Sequence, residues 1–146
     1  MTPSERLPRC GDTGQPPPAS EGQGSIIVVV ATDAPLLPHQ LKRVATRPAL
    51  GIGRMGGRGN NSSGDIFVAF STANPGAAAA KAVTRVETIP NDSINALFAA
   101  TIQATEESIL NALLAAETMT GADGARVTAL PSDRLLAAMR KYGRLK

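Results

Sequence analysis

Three side chains carry the chemistry this sequence can offer. Ser25 stands in "GQGSIIVVVATD" (22–33), behind a glycine and at the head of an apolar run. Ser63 and Asp65 stand in "GNNSSGDIFVAF" (59–70), again just ahead of an apolar run. Both places are N-terminal ends of strands that can lie side by side. If the Gly24–Ser25 bond is cut, Ser25 gains a free α-amine, a group with a pKa near ~8. Such an amine can act as general base for the serine's own hydroxyl, directly or through one water, with no histidine involved. Gly24 favours the cut for a steric reason. It admits the strained backbone from which the Ser25 hydroxyl attacks the preceding carbonyl, and the N→O acyl shift leaves an ester that water hydrolyses. On local pattern alone, Gly-Ser at a strand start is most often ordinary turn chemistry, and that pattern does not carry the cleavage reading by itself. Both readings stay open on these residues.

Other polar groups offer less. His39 is the only histidine and follows Pro38 in the first turn of an expected helix, with no second histidine to share a metal; a solvent-facing residue is expected. Glu106 and Glu107 sit mid-helix and read as a solvated face. "GIGRMGG" (51–57) resembles a phosphate loop only in its glycines: it lacks G-x-x-x-x-G-K-[ST], and no helix opens at its end. Cys10 is the only cysteine, which excludes a disulfide framework or a cysteine metal site and points to a reducing, cytoplasmic setting. Net charge is only +3, and aromatics are 3% with no tryptophan. A nucleic-acid surface would want a basic stripe with stacking aromatics. The one basic cluster, Arg140, Lys141, Arg144 and Lys146, suits a helix C-terminus. The apolar runs fall short of a membrane span, and the first residues show no basic stretch followed by an apolar one of the kind a signal peptide has. Neither nucleic acid nor membrane is an expected partner.

The elements that must position Ser25, Ser63 and Asp65 follow from patterning. Residues 1–24 hold five prolines and four glycines and too few apolar side chains to offset their ordering entropy, so a flexible lead is expected, with the domain over 25–146. Residues 25–32 are an apolar β-branched run without polar alternation, which predicts a strand covered on both faces. Pro38 opens a short helix with Leu41, Val44 and Ala45 on one face, stopped by Pro48. A short strand around residues 51–55, then a loop, leads into a second apolar strand over 65–72, closed by the "ANPG" turn. In 81–89, Val83, Val86 and Ile89 recur every third residue, which leaves helix and strand open. From Ile94 to Ala116, apolar residues fall at helical spacing, with Asn91 or Asp92 as cap and Gly121 or Gly124 as stop. A last helix over 131–143 has Ser132 or Asp133 as cap and Gly143 at its end. The order predicts an α/β module: a mixed sheet with helices packed on one face.

Three stretches make a resemblance specific: "GSIIVVVATDAPLLPHQLKRVATRPALGIGRMG", "GNNSSGDIFVAFSTANPG" and "ALFAATIQATEESILNALLAAETMTG". Together, from about Gly24 to Leu130, they are similar to the β polypeptide of the DmpA-type aminopeptidases. This is the L-aminopeptidase/D-esterase and β-peptidyl aminopeptidase family of serine-type N-terminal-nucleophile hydrolases. The resemblance implies a four-layer α/β/β/α sandwich, of which this chain is part. It implies self-cleavage between Gly24 and Ser25, with Ser25 then the nucleophile. Ser63 and Asp65 match the "SGD/SGE" motif that supports the nucleophile's hydroxyl and amine. An acidic group there can hold the terminal ammonium and help steer the substrate's own amino group.

The implied substrates are small peptides, amides and esters with a free N-terminus, including D- or β-residues in some members, and no metal or cofactor is implied. Members of the family are usually multimeric. Their precursors carry a long α polypeptide upstream of the cleavage site, which supplies an oxyanion-stabilising asparagine and much of the pocket. Here 24 residues precede Ser25. The expectation is therefore an aminopeptidase β polypeptide that works with an α-like chain and in an oligomer. The alternative is a truncated, catalytically incompetent fragment.

Overall fold

The computed structural model describes residues 24–121, 124 and 126–145. The lead expected over 1–24 lies, apart from Gly24, outside the described residues. The chain divides into two compact units, Gly22–Ser108 and one that takes in Ile109–Lys146.

The first unit is built on two strands, β1 (Ile27–Thr32) and β2 (Ile66–Ser71), paired in parallel with Ile27 beside Ile66 and Thr32 beside Ser71. A parallel pair needs a crossover, and α1 (Pro38–Ala45) and α2 (Pro48–Arg54) provide it. Each helix has proline in its first turn, where the missing N–H is no loss. Two expectations are corrected here. Pro48 does not stop α1, which ends at Ala45; it opens α2. Residues 51–55 are not a strand, because Gly51 to Arg54 belong to α2.

Beyond β2 lie two 3₁₀ turns, Ala77–Ala79 and Asn91–Ser93, and then α3 (Asn95–Ala115). Residues 81–89 are neither helix nor strand. Side chains hold this segment instead. Asn74 grips Glu87 at two points, its Nδ2 donating to the Glu87 carbonyl at 3.1 Å and its Oδ1 accepting the Glu87 N–H at 2.8 Å. Gln40, only 2% exposed, accepts the Leu37 N–H (2.9 Å) and the Thr88 hydroxyl (2.8 Å) at Oε1. Its Nε2 donates to the Ile89 carbonyl (2.8 Å) and to Asn91 Oδ1 (3.1 Å). A buried amide so fully satisfied fixes the start of α1 against residues 88–91.

The core of this unit is Leu36, Val44 and Ile94, with Val30, Ala69, Leu41, Leu97 and Phe98 packed around it. Each fully buried side chain contributes about 1.5–3 kcal/mol relative to exposure. Val30 and Ala69 belong to the inner face of the strand pair. The outer face carries Ile27, Val29, Ile66, Val68 and Phe70, all exposed, with Ile27 at 70% and Val29 at 59%. The strand expected to be covered on both faces is therefore covered on one. α3 packs close to α2: a Cβ added at Gly51 would lie 2.8 Å from the Ile102 carbonyl oxygen and 2.9 Å from Thr105 Cβ. Thr101 and Thr105 turn their hydroxyls back onto the carbonyls of Leu97 and Thr101, which satisfies these buried groups within the helix.

In the second unit, β3 (Met119–Thr120) and β4 (Arg126–Val127) pair antiparallel, and α4 (Ser132–Lys141) follows. α3 was expected to reach Gly121 or Gly124 but ends at Ala115, since Met119 and Thr120 are committed to Val127 and Arg126. Pro131 takes the N-cap position expected for Ser132 or Asp133. Gly143 ends α4 as expected, with φ +64° and the Arg144 N–H on the Met139 carbonyl at 2.8 Å. Among the described residues, no helix is long and apolar enough to cross a membrane.

Candidate active site

The site grows out of the parallel register. Ladder bonding begins where the Ile66 N–H meets the Ile26 carbonyl at 3.0 Å. Extending the register one and two residues upstream sets Asp65 beside Ile26 and Gly64 beside Ser25. The loop that delivers them leaves α2 through Gly56 (φ +95°) and turns again at Gly59 (φ +58°), left-handed positions where glycine carries little strain. A turn closed by the Ser63 N–H on the Asn60 carbonyl (2.8 Å) then aims Ser63 and Asp65 at the head of β1.

Three hydrogen bonds define the geometry. The Gly64 N–H donates to Ser25 Oγ at 2.9 Å. The Ile26 N–H donates to Asp65 Oδ1 at 3.1 Å. The Ser63 hydroxyl donates to the same Oδ1 at 2.6 Å, a length typical of a charge-assisted bond. Asp65 thus joins the two strands and fixes the Ser63 hydroxyl. With its proton committed to Asp65, Ser63 Oγ keeps lone pairs to accept a hydrogen bond. Among the described residues no donor reaches Asp65 Oδ2. All three bonds are exposed.

The sequence-predicted residues Gly24, Ser25, Ser63 and Asp65 therefore come together at one end of the strand pair. A Cβ at Gly24 would meet no described atom within 4 Å, so crowding does not require a glycine there. The remaining candidates do not join the site. His39 is exposed on α1, and Glu106 pairs with Arg54 at 2.6 Å. Among the described residues no three His, Cys, Asp or Glu side chains converge as a metal site. The group missed from sequence is the backbone N–H of Gly64. Sequence alone did not give it: Ser25 directly precedes its apolar run and Gly64 stands two residues ahead of the next, so their offsets match only once the strands are known to start at Ile27 and Ile66.

The sequence matches a known family. The pattern of Peptidase family S58 matches residues 4–127, and the chain belongs to that family. It is 58% identical over 125 residues to the beta-peptidyl aminopeptidase BapA of Sphingosinicella microcystinivorans, a match covering 85% of this chain and 32% of that protein. With the protein of the same name from Sphingosinicella xenopeptidilytica it shares 44% identity over 133 residues, covering 88% and 32%. Among solved structures, it is similar to the L-aminopeptidase D-Ala-esterase/amidase of Ochrobactrum anthropi, described as a variant of the Ntn hydrolase fold. That match has a TM-score of 0.75 at 47% identity and covers 84% of this chain and 35% of the other. The beta-aminopeptidase of a Burkholderia species matches with a TM-score of 0.74 at 48% identity, covering 84% and 36%. The α/β fold is thus that of the Ntn-hydrolase aminopeptidases, and the chain spans about a third of the length of the relatives it matches.

Proposed function

We propose that this chain is the nucleophile-bearing polypeptide of a serine-type aminopeptidase or amidase that releases N-terminal residues from small peptides, amides or esters. The observation that carries this reading is the seating of Ser25 Oγ on the Gly64 N–H, beside the Ser63–Asp65 pair. In the first stage Ser25 Oγ attacks the Gly24 carbonyl carbon. The Gly24–Ser25 C–N bond breaks, the hydroxyl proton ends on the released nitrogen, and the resulting ester is hydrolysed to a Gly24 carboxyl group and a free Ser25. In turnover the Ser25 α-amine accepts the hydroxyl proton as Oγ attacks the substrate carbonyl, then passes it to the departing amine. Water attacks the acyl-serine and restores the hydroxyl. Ser63 and Asp65 orient the hydroxyl and hold the ammonium form of the amine. Residues 25–146 form the β-polypeptide-like part and 1–24 the segment removed.

The names of the relatives, beta-peptidyl aminopeptidase and L-aminopeptidase D-Ala-esterase/amidase, support this substrate class. A β-polypeptide role also implies an α-like polypeptide that completes the pocket, and an oligomeric assembly. The single cysteine favours the cytoplasm. The exposed outer face of β1 and β2 favours a second reading, a fragment that is inert by itself.

Intact mass and hydrolysis of α- and β-aminoacyl p-nitroanilides test both, with the chain alone and with an α-like polypeptide. Loss of residues 1–24 and turnover, both abolished by Ser25→Ala, are expected with the partner present. Hydrolysis that survives Ser25→Ala would remove the nucleophile assignment. A full-length mass and no turnover in every combination would leave the inert fragment.

A further inference from the structure

The junction of α1 and α2 sets two arginines against one ring. Arg47 Cζ lies 3.9 Å from the Phe98 ring centroid and Arg43 Cζ 5.1 Å from it. Their polar contacts go to neutral acceptors: Arg43 Nη1 donates to Asn91 Oδ1 at 3.2 Å, and Arg47 Nη1 to Thr46 Oγ1 at 2.9 Å. Asn91 Oδ1 also accepts from Gln40 Nε2, so Arg43 shares an acceptor already in use. Arg54, in the same unit, takes the Glu106 carboxylate at 2.6 Å. Among the described residues no carboxylate reaches Arg43 or Arg47.

Two cations held over one ring repel each other, and Lys42 adds a third charge in the same helical turn. The negative end of the α1 dipole offsets only part of this. Each guanidinium has five N–H donors in a planar fork, and stacking leaves the in-plane donors available. The ring contact also restricts the side chains beforehand, which lowers the entropy lost on binding an anion. We propose that Arg43 and Arg47, held by Phe98, form an oxyanion site that takes a carboxylate. The carboxylate is one borne by a polypeptide or by a small free acid. The site is independent of Ser25 and its chemistry.

The test titrates the full chain with sodium acetate and, separately, with a short glutamate-rich peptide at constant ionic strength, following arginine Nε–Hε and Phe98 ring resonances by NMR. Saturable shifts at Arg43, Arg47 and Phe98, with Arg54 unmoved, are expected. Joint Arg43→Gln and Arg47→Gln substitution should weaken binding at least about tenfold. Arg47→Lys keeps the charge and loses the fork, and should also weaken it, so the proposal stays testable if the double variant does not fold. Tighter binding of the peptide than of acetate assigns a polypeptide carboxylate, and equal binding a free acid. Shifts that never saturate, or affinity unchanged by Arg47→Lys or by the double substitution, overturn the proposal.

Discussion

Ser25 Oγ and the Gly64 amide, 39 residues apart in sequence, meet at 2.9 Å. The bond exists because β1 and β2 are parallel and in register, so the residues preceding each strand share one end of the sheet. Asp65 makes the neighbouring bond to Ile26 from the same offset. The position of Ser25, the proposed nucleophile, is therefore a property of strand pairing, and substitutions around it should report on that pairing as well as on chemistry.

Asp65→Ala removes the acceptor of both the Ile26 N–H and the Ser63 hydroxyl. Cleavage at Gly24 and peptide turnover should fall by about 10²–10⁴-fold, the scale of a lost proton-handling group. Ser63→Ala, which keeps the bond to Ile26, should lower both rates without lowering the thermal midpoint. Unchanged rates in the two variants, followed by mass spectrometry and p-nitroanilide release, would take Ser63 and Asp65 out of the mechanism.

The pH profile of turnover should have a limb that rises with pH. The terminal amine acts as a base only when unprotonated, so the rate is low while it carries its proton and climbs as pH passes its pKa, near ~8 for an ordinary α-amine. Stopped assays between pH 5 and pH 10 check this. A rate that falls across that range would exclude the amine as base.

Gly51→Ala puts a methyl group 2.8 Å from the Ile102 carbonyl oxygen. That atom is backbone in α3 and cannot swing away. Overpacking of this kind costs about 1–3 kcal/mol, read as a lower urea midpoint. A neutral or stabilising result would mean that α2 and α3 are further apart than described.

Gln40→Leu fills a similar volume but strands the Leu37 N–H, the Thr88 hydroxyl and the Ile89 carbonyl. Thr88 is exposed and can turn to water, so the cost falls on the half-buried Leu37 N–H and Ile89 carbonyl, at most about 1–3 kcal/mol each. The substitution should lower the thermal midpoint and speed amide exchange in residues 88–94 more than in β1. Uniform exchange across both would argue against a local role.

The outer sheet face should bind a hydrophobic dye such as ANS in the isolated chain. Val29→Thr with Val68→Thr should reduce that fluorescence and raise the soluble fraction, at a stability change within about 0.5 kcal/mol. Strong destabilisation would show that these side chains are packed in solution.

Much of this was legible in the residues. The two apolar runs, the helical spacing of α1, α3 and α4, and the offsets of Ser25, Ser63 and Asp65 all survive in three dimensions. α2 was not legible, because Gly51 and Gly53 each weaken a helix by about 1 kcal/mol relative to alanine. Tertiary contact explains the exception: Gly51 is the residue that lets α3 approach. Residues 81–89 form neither helix nor strand despite the three-residue recurrence of Val83, Val86 and Ile89, because Asn74 and Gln40 hold their surroundings through individual side-chain bonds. The bare face of β1 could not be read either. Its run is apolar at every position, and pattern alone does not say whether the cover belongs to the same chain.

The parallel pairing of β1 and β2 also bears on time. Ser25 reaches Gly64 only after residues 33–65 have closed into their crossover. Pairing across such a separation is slow, since loop-closure entropy must be overcome before the contact forms. In the proposed reaction, scission at Gly24 therefore acts as a clock on folding. A shortened chain has already threaded its crossover, and a misfolded copy keeps its full mass. The broken bond is a covalent record of correct topology that later unfolding cannot erase.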